Sequence, residues 1–176
     1  MGRPLAVLTL AAALVLGAAA PLHAQLPDRI EHQAARTGYV NLSGPRVGLI
    51  ALGDAQDRVR SRYDVDRVIS QLGIALESRF YGVPSGPTGV MELVALAGAA
   101  DQGEFIPNGM LLFGIRSPGG MEIAIGPWFA ERDAAAVIQL GATIPAGYLR
   151  IPVTLQVMPG KNGTRLGLLT GFNAFR

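Results

Sequence analysis

Seven charged side chains stand at alternate positions within otherwise apolar or small-residue runs: Glu77, Arg79, Glu92, Arg116, Glu122, Arg150 and Arg165. Three carboxylates and four guanidiniums on one face of a set of strands have one evident chemistry. They can neutralise one another through charge-assisted hydrogen bonds, because either ion taken out of water alone is costly. The expectation is a structural network that plugs the space it occupies, rather than a catalytic carboxylate pair or a conducting path. Nucleophilic chemistry has little to draw on. The chain has no cysteine and only two histidines, His23 and His32. His32 with a serine such as Ser43 is the one thin candidate for a lipid-modifying site, so no catalytic residue, metal-ligand set or cofactor is expected.

Composition narrows the class further. Lys161 is the only lysine among fifteen basic residues, there are 23 glycines, and the formal charge is +2. Mean hydropathy is +0.33. Soluble domains wet their surfaces with lysine and glutamate, so this balance points to an outer surface that does not face water. The arginines are dispersed and mostly alternate with apolar residues, which excludes a basic nucleic-acid patch. At the N-terminus Arg3 precedes an apolar run over residues 5–20, and Leu22-His23-Ala24 offers a small-residue cleavage site. Residues 1–24 therefore read as a signal peptide and the chain as exported; residues 25–37 are a polar lead-in, and 38–176 a single domain.

The elements that must position the charges are strands. In the clearest case Ile151, Val153, Leu155 and Val157 face one way and Arg150, Pro152, Thr154 and Gln156 the other. Leu166, Leu168, Thr170 and Phe172 repeat the pattern after the turn at residues 159–163. Working upstream, period-two runs lie at 38–53, 68–81, 90–97, 110–116, 121–126 and 136–144, giving eight strands in all. The run at 68–81 also fits a helix in part, through Val65, Val68, Ile69, Leu72 and Leu76, but Gly73 and the Phe80-Tyr81 end favour a strand. In the first run Ile50 and Leu52 break the strict alternation. Residues 54–67, 98–108 and 127–134 read as loops, and 82–88, 117–120 and 145–147 as turns.

Alternation alone leaves open which face meets which solvent. In a soluble sandwich or ligand-binding barrel the face opposite the apolar one is polar. Here it collects Gly48, Gly73, Ala75, Gly114, Ala124, Gly126, Gly141, Gly167 and Gly171 among the seven charges. Glycine on a water-facing strand weakens it for no return, whereas in a narrow eight-stranded barrel it leaves room for large neighbours. The apolar face would then meet lipid, and strands of about 9–11 residues cross a bilayer. Phe80, Tyr81, Phe105, Trp128, Phe129 and Tyr148 fall at strand ends, where an interfacial aromatic girdle would lie.

The runs RIPVTLQVMPGKNGTRLGLLTGFNAF, QLGIALESRFYG and GMEIAIGPWF resemble those of small outer-membrane β-barrel proteins of Gram-negative bacteria, including uncharacterised ones. The resemblance implies an all-β, eight-stranded antiparallel up-and-down barrel inserted in the outer membrane by its assembly machinery. Such barrels commonly end on an in-register aromatic; here that residue is Phe172, and the chain ends Phe175-Arg176. The functional expectation is a non-enzymatic barrel with a plugged lumen and loops for surface interaction or envelope stabilisation, the loop partner being unspecified. The alternative is a soluble periplasmic lipocalin-like barrel with an apolar ligand in its centre.

Overall fold

The computed structural model describes residues 40–53, 63–131, 133–160 and 163–174. The expected signal peptide and lead-in, His32 and most of the first expected loop lie outside these residues.

Eight strands run up and down: β1 (Gly44–Leu52), β2 (Val68–Gly82), β3 (Thr88–Gly98), β4 (Ile106–Arg116), β5 (Met121–Ala130), β6 (Asp133–Ala146), β7 (Leu149–Met158) and β8 (Arg165–Gly171). A two-residue strand, β9 (Asn173–Ala174), follows after Phe172. Each strand pairs antiparallel with the next. β8 returns to β1, with Val47 opposite Thr170 and Leu49 opposite Leu168, so the sheet closes into a barrel. Closure removes the edges that would otherwise template pairing with another chain. The stretch with partial helical spacing is strand β2, its register shifted between Arg79 and Tyr81. The connection after β3 holds a short 3-10 turn, Ala100–Gln102. No helix among the described residues is long and apolar enough to cross a membrane.

The two ends of the barrel differ. At the turn end the connections are 83–87, 117–120 and 147–148, and there the chain enters β1 and leaves β8. At the loop end they are 53–67, 99–105, 131–132 and 159–164. The expected loop at 127–134 is instead strand: β5 runs on to Ala130 and β6 begins at Asp133, so Trp128 and Phe129 belong to the wall.

The alternation separates inside from outside as expected. The small residues of the second face, Ala75, Gly114, Ala124, Gly141 and Gly167 among them, are buried inside. At Gly73 and Gly126 a Cβ would strike the carbonyls of Ala95 and Leu111 on the neighbouring strand, so glycine permits that close approach. Ile50 and Leu52, which broke the pattern in β1, are buried inside too. Ile50 joins Ile69, Val94, Leu96, Met110, Leu112 and Val137 in a packed apolar core. Val65 and Ala99 from the connections join the same cluster. The interior is thus half apolar, a feature the expectation of a charge-filled lumen did not include.

The outside is apolar as well. Val47, Leu49, Leu72, Ile74, Phe113, Ile115, Ile123, Ile125, Leu140, Leu155, Leu166 and Leu168 are all exposed. Among the described residues no outward position of β1–β8 carries a charge; Ser70, Ser78 and Thr170 are the polar exceptions.

Candidate functional site

The turn-end half of the lumen is organised on Arg116, the last residue of β4. It lies directly opposite Glu122 of β5, and its Nε and Nη2 donate to Glu122 Oε2 at 2.8 and 2.5 Å. Across the lumen the same guanidinium makes a forked contact with Glu77 of β2: Nη1 donates to Oε1 at 2.9 Å and Nη2 to Oε2. Nη1 also reaches the Val40 carbonyl at 3.3 Å. A forked guanidinium–carboxylate contact combines charge with fixed geometry, which suits a site where the side chains of Glu77 and Arg116 are 0% and 9% exposed.

Glu77 faces Glu92 directly across the β2–β3 ladder. Like charges so placed repel, and the cluster spreads them apart in bonding terms. Glu92 takes a hydrogen bond from Gln139 Nε2 at 3.0 Å and an ion pair with Arg46 at 3.9 Å. Gln139 also donates to Glu122 Oε1 at 3.2 Å, and accepts from Gln156 Nε2 at 2.8 Å. The register that sets Gln139 opposite Gln156 on β6 and β7 makes this last bond. Two amides thereby tie the carboxylates to the far wall.

A short segment before β1, residues 40–43, fills the turn-end mouth. Leu42 is buried, and its N–H donates to Glu77 Oε1 at 3.3 Å. Its carbonyl accepts from Arg46 Nη2 at 2.5 Å. Asn41 Nδ2 donates to the Glu77 carbonyl at 3.0 Å, and the Glu77 N–H donates to Ser43 Oγ at 2.7 Å. The Ser43 hydroxyl, one half of the thin His32/Ser43 candidate, is therefore a backbone partner of Glu77.

The structure divides the seven expected charges. Glu77, Glu92, Arg116 and Glu122 come together. Arg79 and Arg150 are half-buried near the turn-end mouth, Arg150 with its Nη1 on the Leu149 carbonyl at 3.4 Å. Arg165 lies at the other end, where it pairs with Asp133 and stacks 4.6 Å from the Trp128 ring centroid. Trp128 is 5% exposed and points inward, its Nε1 donating to Asn108 Oδ1 at 3.3 Å, so it leaves the expected girdle for the lumen. The other five aromatics are exposed: Phe80, Tyr81 and Tyr148 near the turn end, Phe105 and Phe129 near the loop end.

Sequence reasoning passed over Arg46, Gln139 and Gln156, and it read residues 40–43 as part of the first strand. All three side chains sit on the small-residue face, and that membership was the available signal. A second, smaller set of polar contacts lies at the loop end. Ser70 Oγ donates to Asp101, Gln102 Nε2 to the Val68 carbonyl at 3.1 Å, and Tyr63 to Glu131. The Ser70 hydroxyl holds the Asp101 carboxyl below its ordinary value of 3.8.

The arrangement ties its own strands together, each carboxylate meeting a guanidinium or amide donor. Compared with known proteins, the chain matches no family model, no curated protein and no solved structure.

Proposed function

We propose that this chain is a non-catalytic outer-membrane β-barrel of a Gram-negative envelope, its lumen plugged and its outer wall facing lipid. The observation that carries the reading is the outward band, uncharged on all eight strands and bordered by exposed aromatics at both ends. Large apolar side chains left in water forgo roughly 1.5–3 kcal/mol each, so a band this continuous calls for an apolar surrounding. The interior supports the same reading. A lipocalin-like barrel needs a central cavity for its ligand, whereas here Leu112, Val137, Gln139 and Gln156 are essentially inaccessible.

Insertion would use the outer-membrane assembly machinery, and lipid would be the principal partner. With 127–134 in the wall, the connections at 53–67 and 99–105 are left to meet anything outside.

Trp128 is the single tryptophan, and it points inward. Lipids brominated on their acyl chains should quench it weakly. A Trp128→Phe, Ile125→Trp variant, with its indole on the outer wall, should be quenched strongly. A protein that stays out of the lipid phase, with neither fluorophore quenched, would support the soluble ligand-binding reading instead.

A further inference from the structure

The wall of the barrel is not uniformly bonded. β1 and β8 pair from Leu52↔Arg165 as far as Arg46↔Gly171 and no further. The next position on β1 is Pro45. Its carbonyl lies where a Cβ on Gly171 would strike it, so the Pro45 edge turned toward β8 is the one that lacks an N–H. On the other flank, β7 pairs with β8 at Val153↔Thr170 and with β9 at Arg150↔Asn173. The ladder is interrupted in between, at Ile151 and Pro152. The end of β8 around Phe172 thus has a proline strand on each side, and Phe172 is 54% exposed. A notch of about 340 Å³ opens at this end of the seam, lined by Asn41, Ser43, Gly44, Pro45, Phe172 and Asn173.

Two of those residues belong to the segment anchored inside the lumen. Asn41 accepts from Asn173 Nδ2 through its carbonyl and donates to the Glu77 carbonyl through its side chain. Ser43 and Leu42 are bonded to Glu77 as well. We propose that residues 40–43 are a clasp: they close the turn end of the β1–β8 seam where prolines withhold ladder bonds, and Glu77 is the post to which the clasp is fastened. The seam then opens from this end first, and the bonds of residues 41–43 to Glu77 govern how often. The inference stands on the geometry of the seam and holds whichever solvent surrounds the barrel.

Amide hydrogen exchange on the full protein in detergent micelles tests it. Ser43→Ala, which removes the hydroxyl that accepts from the Glu77 N–H, should speed exchange at Gly44, Phe172 and Asn173 at least tenfold while leaving Leu49 and Leu168, further along the same seam, unchanged. Adding Pro45→Val, which restores an N–H toward β8, should return those three amides to slow exchange. Should Ser43→Ala fail to fold, Asn41→Ala, which removes the side-chain bond to the Glu77 carbonyl, should produce the same local acceleration. Exchange unchanged at the seam end, or accelerated equally along the whole seam, would overturn the proposal, as would a Pro45→Val change without effect.

Discussion

Arg116 satisfies two carboxylates from different strands at once, and Glu92 relies on an amide and a longer ion pair. The two residues should therefore respond oppositely to neutralisation. Arg116→Met removes the guanidinium that Glu77 and Glu122 share and should cost about 3–5 kcal/mol, the range for breaking a buried pair by removing one partner. Glu92→Gln removes one of three negative charges set against two positive ones and keeps an acceptor for Gln139, so its cost should stay within about 1 kcal/mol. Denaturant unfolding followed by gel mobility measures both; equal losses would mean that the network is not centred on Arg116. Four members of this network were legible in the sequence, because alternation assigns a residue to a face. Alternation says nothing of depth along the barrel, which is why Arg165 stood in the same set yet lies at the opposite end. Gln139 and Gln156 carry no charge to mark them, and residues 40–43 read as the start of the strand expected at 38–53, whereas β1 begins at Gly44.

At the scale of elements, interior glycines decide whether strands can close on one another. Gly73→Val should prevent a folded barrel from forming, since its Cβ would meet the Ala95 carbonyl and the Leu96 backbone. The same substitution at Gly103, in an open connection with nothing nearby, should leave the barrel intact and add only the strain of its left-handed backbone. The gel shift between heated and unheated samples distinguishes these outcomes. The loop end offers a titration. Asp101 is held below the ordinary carboxylate range by Ser70, so its contribution to folding is present above the unfolded carboxyl value and is lost as pH falls through the lower folded value. Ser70→Ala should return the Asp101 titration, followed by carboxyl NMR, toward 3.8 without altering the barrel. The strands were legible as period-two runs, including β2, where branched and aromatic residues overrode a partial helical spacing. Their ends were drawn too short, because Pro127, Trp128 and Phe129 read as loop although the β5–β6 ladder continues through them to Ala130↔Asp133.

For the whole molecule, the governing feature is a barrel that is apolar outside and half apolar inside. The sequence pattern carried the first half of that statement and missed the second, since inward Ile50, Ile69, Val94 and Leu112 interrupt the contrast between faces. Two apolar surfaces on one closed wall can both be satisfied when one packs as a core and the other meets lipid. Ile125→Arg on the outer wall should then cost about 2–4 kcal/mol for a position near the bilayer midplane, measured by unfolding in lipid vesicles. An effect under about 0.5 kcal/mol would place that face in water. The most direct test of the central claim is fractionation of the envelope, followed by denaturing gels of boiled and unboiled samples. The account predicts recovery with the outer membrane, release only by detergent, and a mobility shift on boiling. Recovery in the soluble periplasmic fraction without detergent would contradict it.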